Sequence, residues 1–182
     1  MKLTDKQKGV VRGVIPAAVL SVAGLCGAPF LLPATALPAE EPAARIAWAV
    51  QWALFPALTL MIAVARVGNH RFYSPEDIDG SGLTRGTLQI QILRAVLQNT
   101  LEQTVLAIAA YMIWAVVMPR NWLWSIAMAA LFFVAGRLLF ARGYIRGAAG
   151  RAMGFGLTAY PTFGMLAAVT AVLLFRLVTM IE

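Results

Sequence analysis

Residues 94–118 read RAVLQNTLEQTVLAIAAYMIWAVVM. The run is long enough for a membrane-spanning helix, which needs roughly 20 mostly apolar residues. Its first half nevertheless carries Arg94, Gln98, Asn99, Glu102 and Gln103, with Gln91 just before them. Such side chains are expensive in lipid and belong against protein or a wet cavity. At about 100° per residue, Arg94, Gln98, Asn99 and Glu102 fall within an arc of roughly 140°. One side of this helix is therefore expected to line a site, or a polar network that only joins helices, while the other side faces lipid.

The rest of the chain fits a membrane reading. Of 182 residues, 60% are hydrophobic and 13% charged, and the mean hydropathy is +0.76. That is far from a soluble domain and leaves room for four or five spans with short connections. The net charge of +7 does not point to nucleic acid, because the basic residues flank apolar runs instead of forming a stripe with interleaved aromatics. Cys26 is the single cysteine, so no intrachain disulfide can form; its apolar neighbours suggest an inert buried thiol.

Five spans are expected. The first, Gly13 to Leu32, follows Lys2, Lys6, Lys8 and Arg12 and precedes a Pro-rich stretch from Pro33 to Pro42. A cleaved signal is the rival reading, with Ala34-Thr35-Ala36 as its site. The apolar run is too long for one and contains Pro16 and Pro29, so a kinked, retained helix is preferred. The second span covers Ala43 to Val67, the third begins near Thr87 and ends before Pro119, the fourth covers Asn121 to Ala141, and the fifth Phe155 to Ile181, bent at Pro161. In the polar loop from Gly68 to Gly86, Ser74-Pro75 suggests a short helical turn. Asp77, Asp79 and Gly80 hint at calcium without the ligand spacing of an EF-hand, so an ordinary solvated loop is favoured. His70 is expected to be solvated too, and no metal cluster or Ser-His-Asp set is visible.

Charge sets an orientation. Lys2, Lys6, Lys8, Arg12, Arg66, Arg71, Arg85, Arg137, Arg142, Arg146 and Arg151 fall on the N-terminal side of five alternating spans, against Arg45 and Arg120 on the other. Positive-inside logic places the N-terminus in the cytoplasm and Glu182 outside. Trp48, Trp52, Trp114, Trp122 and Trp124 fall toward the charge-poor face, as an interfacial belt would.

A second polar constellation runs from Gly136-Arg137 through Phe140, Arg142, Tyr144 and Arg146 to Arg151. On a continuous helix Arg137, Phe140, Tyr144 and Arg151 share one stripe. Gly143, Gly147 and Gly150 either permit close approach or break that helix. Arg142 and Arg146 point away and read as anchors to anionic head groups. A cavity edged by Arg, Asn, Glu and Tyr suits a small ligand with several carboxylates, which guanidinium forks bind bidentately. If that ligand carries a thiol, a nearby arginine favours its thiolate.

At these residues the sequence resembles the MAPEG family, the membrane-associated proteins of eicosanoid and glutathione metabolism. The resemblance covers most of residues 43 to 181. Its strongest part is Arg94-Ala95 followed by Asn99 and then Glu102; its second is Arg137 to Arg151, where Tyr144 and Arg151 align. The eukaryotic glutathione users have one fewer residue between the Arg and the Asn, and the leukotriene-forming synthases have a tyrosine where this chain has Phe140. The resemblance implies an all-α integral membrane protein of a bacterial type. It would comprise a four-helix transmembrane bundle (residues 43–182), one extra N-terminal helix with its Pro-rich linker (1–42), and homotrimers with sites between subunits. It further implies glutathione as co-substrate and no metal, glutathione-binding Arg66, Arg94, Asn99, Glu102, Arg137 and Tyr144, and a catalytic Arg151 stabilising the thiolate.

Three functions are therefore weighed. The leading one is a glutathione-dependent transferase or peroxidase acting in a bacterial inner membrane on lipophilic electrophiles or lipid hydroperoxides. The second is a non-catalytic lipid-binding scaffold of the same fold. A transporter is the third, but no inverted repeat supports it.

Overall fold

The computed structural model describes residues 3–80 and 82–180. Lys2, the span end at Ile181 and Glu182 lie outside the described residues. Five helices follow in order: α1 (Asp5–Leu31), α2 (Pro42–Tyr73), α3 (Leu88–Val117), α4 (Trp124–Gly143) and α5 (Gly147–Thr179), with short 3-10 turns at Ala34–Ala36, Arg120–Leu123 and Tyr144–Arg146. No strand occurs among the described residues.

The starts of the helices follow local chemistry. Thr4 and Gln7 form a reciprocal capping box at α1. Pro42 occupies the first turn of α2, where its missing N–H costs nothing. The Thr87 hydroxyl accepts the Ile90 N–H at the start of α3. Four apolar helical stretches are long enough to cross a bilayer: Asp5–Leu31, Pro42–Tyr73, Leu88–Val117 and the run Arg120–Thr179. That last run is doubled back on itself, with α4 packed along α5. The protein is thus an integral membrane protein with five helical limbs.

Close packing at small residues decides how the limbs assemble. A Cβ on Gly136 would lie 2.8 Å from the Gly154 carbonyl oxygen, and one on Gly150 would lie 2.7 Å from that of Gly143. The α4–α5 hairpin therefore needs glycine along its seam. α1 packs on α5 and α4, where a Cβ on Gly13 would meet that of Ala152 at 2.9 Å and one on Gly156 would meet that of Ala17 at 2.7 Å. α2 packs on α3 and α4, and α3 also touches α5. Tyr111, Trp114, Leu123, Ile126, Phe133 and Met165 fill the core.

Several boundaries differ from expectation. α2 continues past Val67 to Tyr73, because the polar residues after Arg66 carry the helix beyond its apolar part. α5 starts at Gly147, not Phe155: hydropathy excluded Arg151, yet Gly147 (φ +78°) reverses the chain and helix resumes at once. Pro16 and Pro29 lie within one uninterrupted α1, and Pro161 within α5. Ser74–Gly80 is a succession of turns, closed by Asp77 N–H to Ser74 O (3.0 Å) and Gly80 N–H to Asp77 O (3.2 Å), instead of a helical turn. Cys26 is exposed on the outer side of α1 and not buried.

The tryptophans gather at one end of the bundle. Trp48 stacks edge-on against Trp124 (5.5 Å), and Trp114 against Trp122 (6.1 Å). Their indole N–H groups donate to the carbonyls of Leu123, Pro33 and Trp122. Arg45 and Arg120 sit there too, not as free anchors but as staples. Arg45 Nε donates to Ala115 O (2.8 Å) and its Nη2 to Met118 O; Arg120 donates to Pro38 O (2.6 Å) and Leu37 O (2.9 Å).

Candidate functional site

At the opposite end, beside the α4–α5 turn, α3, α4, α5 and the turn between the last two border an open cavity of about 210 Å³ lined by Ala95, Asn99, Phe140, Tyr144, Arg151 and Phe155. The stripe expected on one continuous helix arises differently. Helix breaks at the 3-10 turn Tyr144–Arg146 and the chain reverses at Gly147. α5 then carries Arg151 back over the Tyr144 ring, with its guanidinium carbon 4.4 Å from the ring centroid. Phe140 packs against both Tyr144 (5.5 Å) and Phe155 (6.5 Å). Arg142 and Arg146 are exposed, as the sequence suggested.

Arg137 stands behind this cavity and does not line it. Its guanidinium lies over the Phe140 ring (4.5 Å), and the residue is only 5% exposed. Nη1 donates to Asn99 Oδ1 (2.7 Å) and Nε to Thr158 Oγ1 (3.0 Å). Asn99 is thereby held with its carbonyl occupied, which turns its amide nitrogen toward other partners. Thr158, itself buried, donates its own hydroxyl hydrogen bond to Gly154 O (2.9 Å). Sequence reasoning missed Thr158, since a lone threonine in an apolar helix gives no signal until its neighbour across the hairpin is known.

The remaining expected residues lie elsewhere in the fold. Glu102 is exposed and accepts a hydrogen bond from Gln98 Nε2 (3.0 Å). Arg94, also exposed, borders an open cavity of about 490 Å³ with Arg71, Gln91 and Gln98. Arg66 borders two further hollows, one between α2, α3 and α4 and one of about 300 Å³ beside His70 and Ser74. The chain thus unites Asn99, Tyr144 and Arg151, with Arg137 in support, and leaves Arg66, Arg94 and Glu102 on other faces.

The polar loop is more ordered than expected. Asp77 is 2% exposed and accepts from His70 Nε2 (2.8 Å), Ser74 Oγ (3.0 Å), Thr87 Oγ1 (2.6 Å) and Thr87 N–H (2.8 Å). Burial alone would raise its pKa; these bonds, Thr87's foremost, outweigh that and hold the carboxyl well below the usual carboxylate range. Buried Asp77 and half-buried His70 are accordingly a clasp between the end of α2 and the start of α3, not solvated loop side chains. Among the described residues no group of three or more His, Cys, Asp or Glu side chains is placed to hold a metal ion.

Fold and site together define a helical membrane protein with a small cationic, aromatic-edged cavity at one end of its bundle. The MAPEG family model matches residues 44–171, and the chain belongs to that family of membrane proteins of glutathione and eicosanoid metabolism. No curated protein and no solved structure matches it. α1 lies outside the matched span.

Proposed function

We propose that this protein is a glutathione-dependent membrane transferase or peroxidase acting on lipophilic electrophiles or lipid hydroperoxides. The observation that carries the reading is Arg151, brought back by the hairpin to Tyr144 and Asn99 at the rim of the bundle. Bound glutathione supplies a thiol whose ionised form is the nucleophile or reductant. Arg151 favours that thiolate over the neutral thiol, because a guanidinium beside a sulfur stabilises the anion. Tyr144 holds the Arg151 plane and offers a hydroxyl; Asn99, fixed through Arg137, offers its amide N–H groups.

A single guanidinium cannot meet two carboxylates and a thiolate at once. This reading therefore has Arg66, Arg94 and Glu102 reach the ligand across the interfaces of a homotrimer. Their exposed positions on α2 and α3 support it. The N-terminus lies in the cytoplasm, consistent with the basic residues clustered at the site's end of the bundle, and lipophilic substrates reach the cavity from the membrane.

The test is calorimetric titration of glutathione into the detergent-purified protein. Wild type should bind, and Arg151→Ala and Asn99→Ala should each weaken binding at least about tenfold, or ~1.4 kcal/mol. Absence of binding at millimolar glutathione would replace the enzyme reading with a lipid-binding scaffold.

A further inference from the structure

α5 begins with little local support. Its first turn is Gly147-Ala148-Ala149-Gly150, and the side chain of its N-cap, Arg146, closes no hydrogen bond on that turn. Each glycine inside a helix costs about 1 kcal/mol against alanine, so this turn's own preference for helix is weak. Arg151 follows directly. Its place over the Tyr144 ring therefore depends on what grips α5 from outside.

Three sides of α5 are occupied there. The cavity bordered by Ala95 and Asn99 of α3 receives Arg151 and Phe155. α4 takes a second side, where a Cβ on Gly143 would stand 3.0 Å from Arg151 Cα. α1 takes the third. A Cβ on Gly9 would lie 2.8 Å from that of Ala149, and one on Gly13 would lie 2.9 Å from the Ala152 Cβ and 3.0 Å from the Met153 backbone nitrogen. Ala149, Ala152, Met153 and Gly156 lie roughly 100° to 160° round α5 from Arg151. α1 thus presses on the back of the turns whose front carries the guanidinium, and Ala152, the residue after Arg151, is buried by it. The far end of α1 is tied down as well. Ser125 Oγ of α4 donates to Leu25 O (2.8 Å), and Arg120 donates to the carbonyls of Leu37 and Pro38 just beyond the helix.

We infer that α1, which lies outside the matched family span, is a positioning element of the site, with Gly9 and Gly13 as its contact residues. It holds the first turns of α5 from behind and so keeps Arg151 on the Tyr144 ring. Its catalytic meaning rests on the glutathione reading proposed above, since Arg151 is the thiolate-stabilising group of that reading. The brace itself can be tested without glutathione.

The experiment places a fluorine label on the Tyr144 ring of the full-length protein in detergent and follows its resonance by NMR. Arg151→Ala gives the position for a ring that has lost its guanidinium. Gly13→Leu forces α1 off α5, and Gly9→Ala does so mildly, with one methyl group against that of Ala149. Both should move the resonance toward the Arg151→Ala position, Gly13→Leu further, and should weaken glutathione in calorimetry by about threefold or more. Gly24→Leu is the control for a merely structural role. Its side chain meets Phe132 and Met128 of α4, about 16 Å along α1 from Gly13. It should lower the melting temperature and leave resonance and affinity near wild type. A wild-type resonance in Gly9→Ala and in folded Gly13→Leu would overturn the inference, as would an equal displacement in Gly24→Leu; if Gly13→Leu does not fold, Gly9→Ala decides alone. Displaced resonances in a protein that binds no glutathione would uphold the brace and overturn only the enzyme reading, so the two fail separately.

Discussion

Thr158→Val removes one hydroxyl and keeps the shape of the side chain, yet it would leave the buried Nε of Arg137 without its acceptor. An unsatisfied buried donor costs about 1–3 kcal/mol, and here it also loosens the Arg137–Asn99 contact. Glutathione affinity and melting temperature should both fall in Thr158→Val, while Thr158→Ser, which keeps the hydroxyl, should stay near wild type; equal affinity of Val and Ser variants in calorimetry would exclude the positioning role. Asp77 makes a different test possible. Its folded pKa is depressed, so its stabilisation is complete above the ordinary carboxylate pKa of about 4 and is withdrawn as pH falls below it. Asp77→Asn should melt lower than wild type at neutral pH, with a gap that closes under acid; a gap independent of pH would mean that the carboxylate charge is irrelevant to the clasp. Neither role was readable from sequence. Asp77 sits in a stretch with the composition of a solvated loop, and its burial depends on His70 and Thr87 approaching from two helices.

Among the elements, the α4–α5 hairpin carries the site. A Cβ at Gly154 would stand 2.7 Å from both the Gly136 oxygen and the Phe140 Cα, and backbone atoms cannot swing aside. Overpacking of a well-filled seam costs about 1–3 kcal/mol even where side chains can adjust. Gly154→Val should therefore lower the melting temperature and abolish glutathione binding together, since it forces Arg137 and Arg151 apart. Gly68→Ala is the control: no atom lies within 4 Å of its added methyl group, so it should melt at or slightly above the wild-type temperature. A Gly154→Val protein with unchanged melting would show that the two helices do not need their close seam. Helix existence was legible from apolar runs, whereas the start of α5 was not, because hydropathy cannot see that Gly147 reverses the chain in one residue.

For the molecule as a whole, α3 presents Arg94, Gln98 and Glu102 on an exposed face, which lipid alone would not tolerate. The homotrimer of the proposed function would remove the cost by packing copies of the chain on this face. Native mass spectrometry from mild detergent should give a trimer, and Glu102→Leu with Gln98→Leu should leave Asn99 and Arg151 in place while weakening glutathione binding. A stable monomer that binds glutathione with full affinity would refute assembly across this face. α1, by contrast, is committed within the chain's own bundle, since Gly13 and Ala17 meet Ala152 and Gly156 of α5 too closely for a loosely attached anchor.

What the sequence determined on its own was the solvent, the number of helical limbs, the family and the residue types gathered at one end of the bundle. These follow from local quantities: apolar run length, charge at the ends of runs, and the spacing of Arg, Asn and Glu along one helix. Tertiary structure decided which of those residues meet. Arg151 reaches Tyr144 through a reversal of the chain, Arg137 is buried behind the cavity wall on Asn99 and Thr158, and Asp77 is buried by two helix ends closing on it. Each depends on how closely backbones approach, and that is set by pairs of residues far apart in the chain whose packing no single stretch of sequence contains.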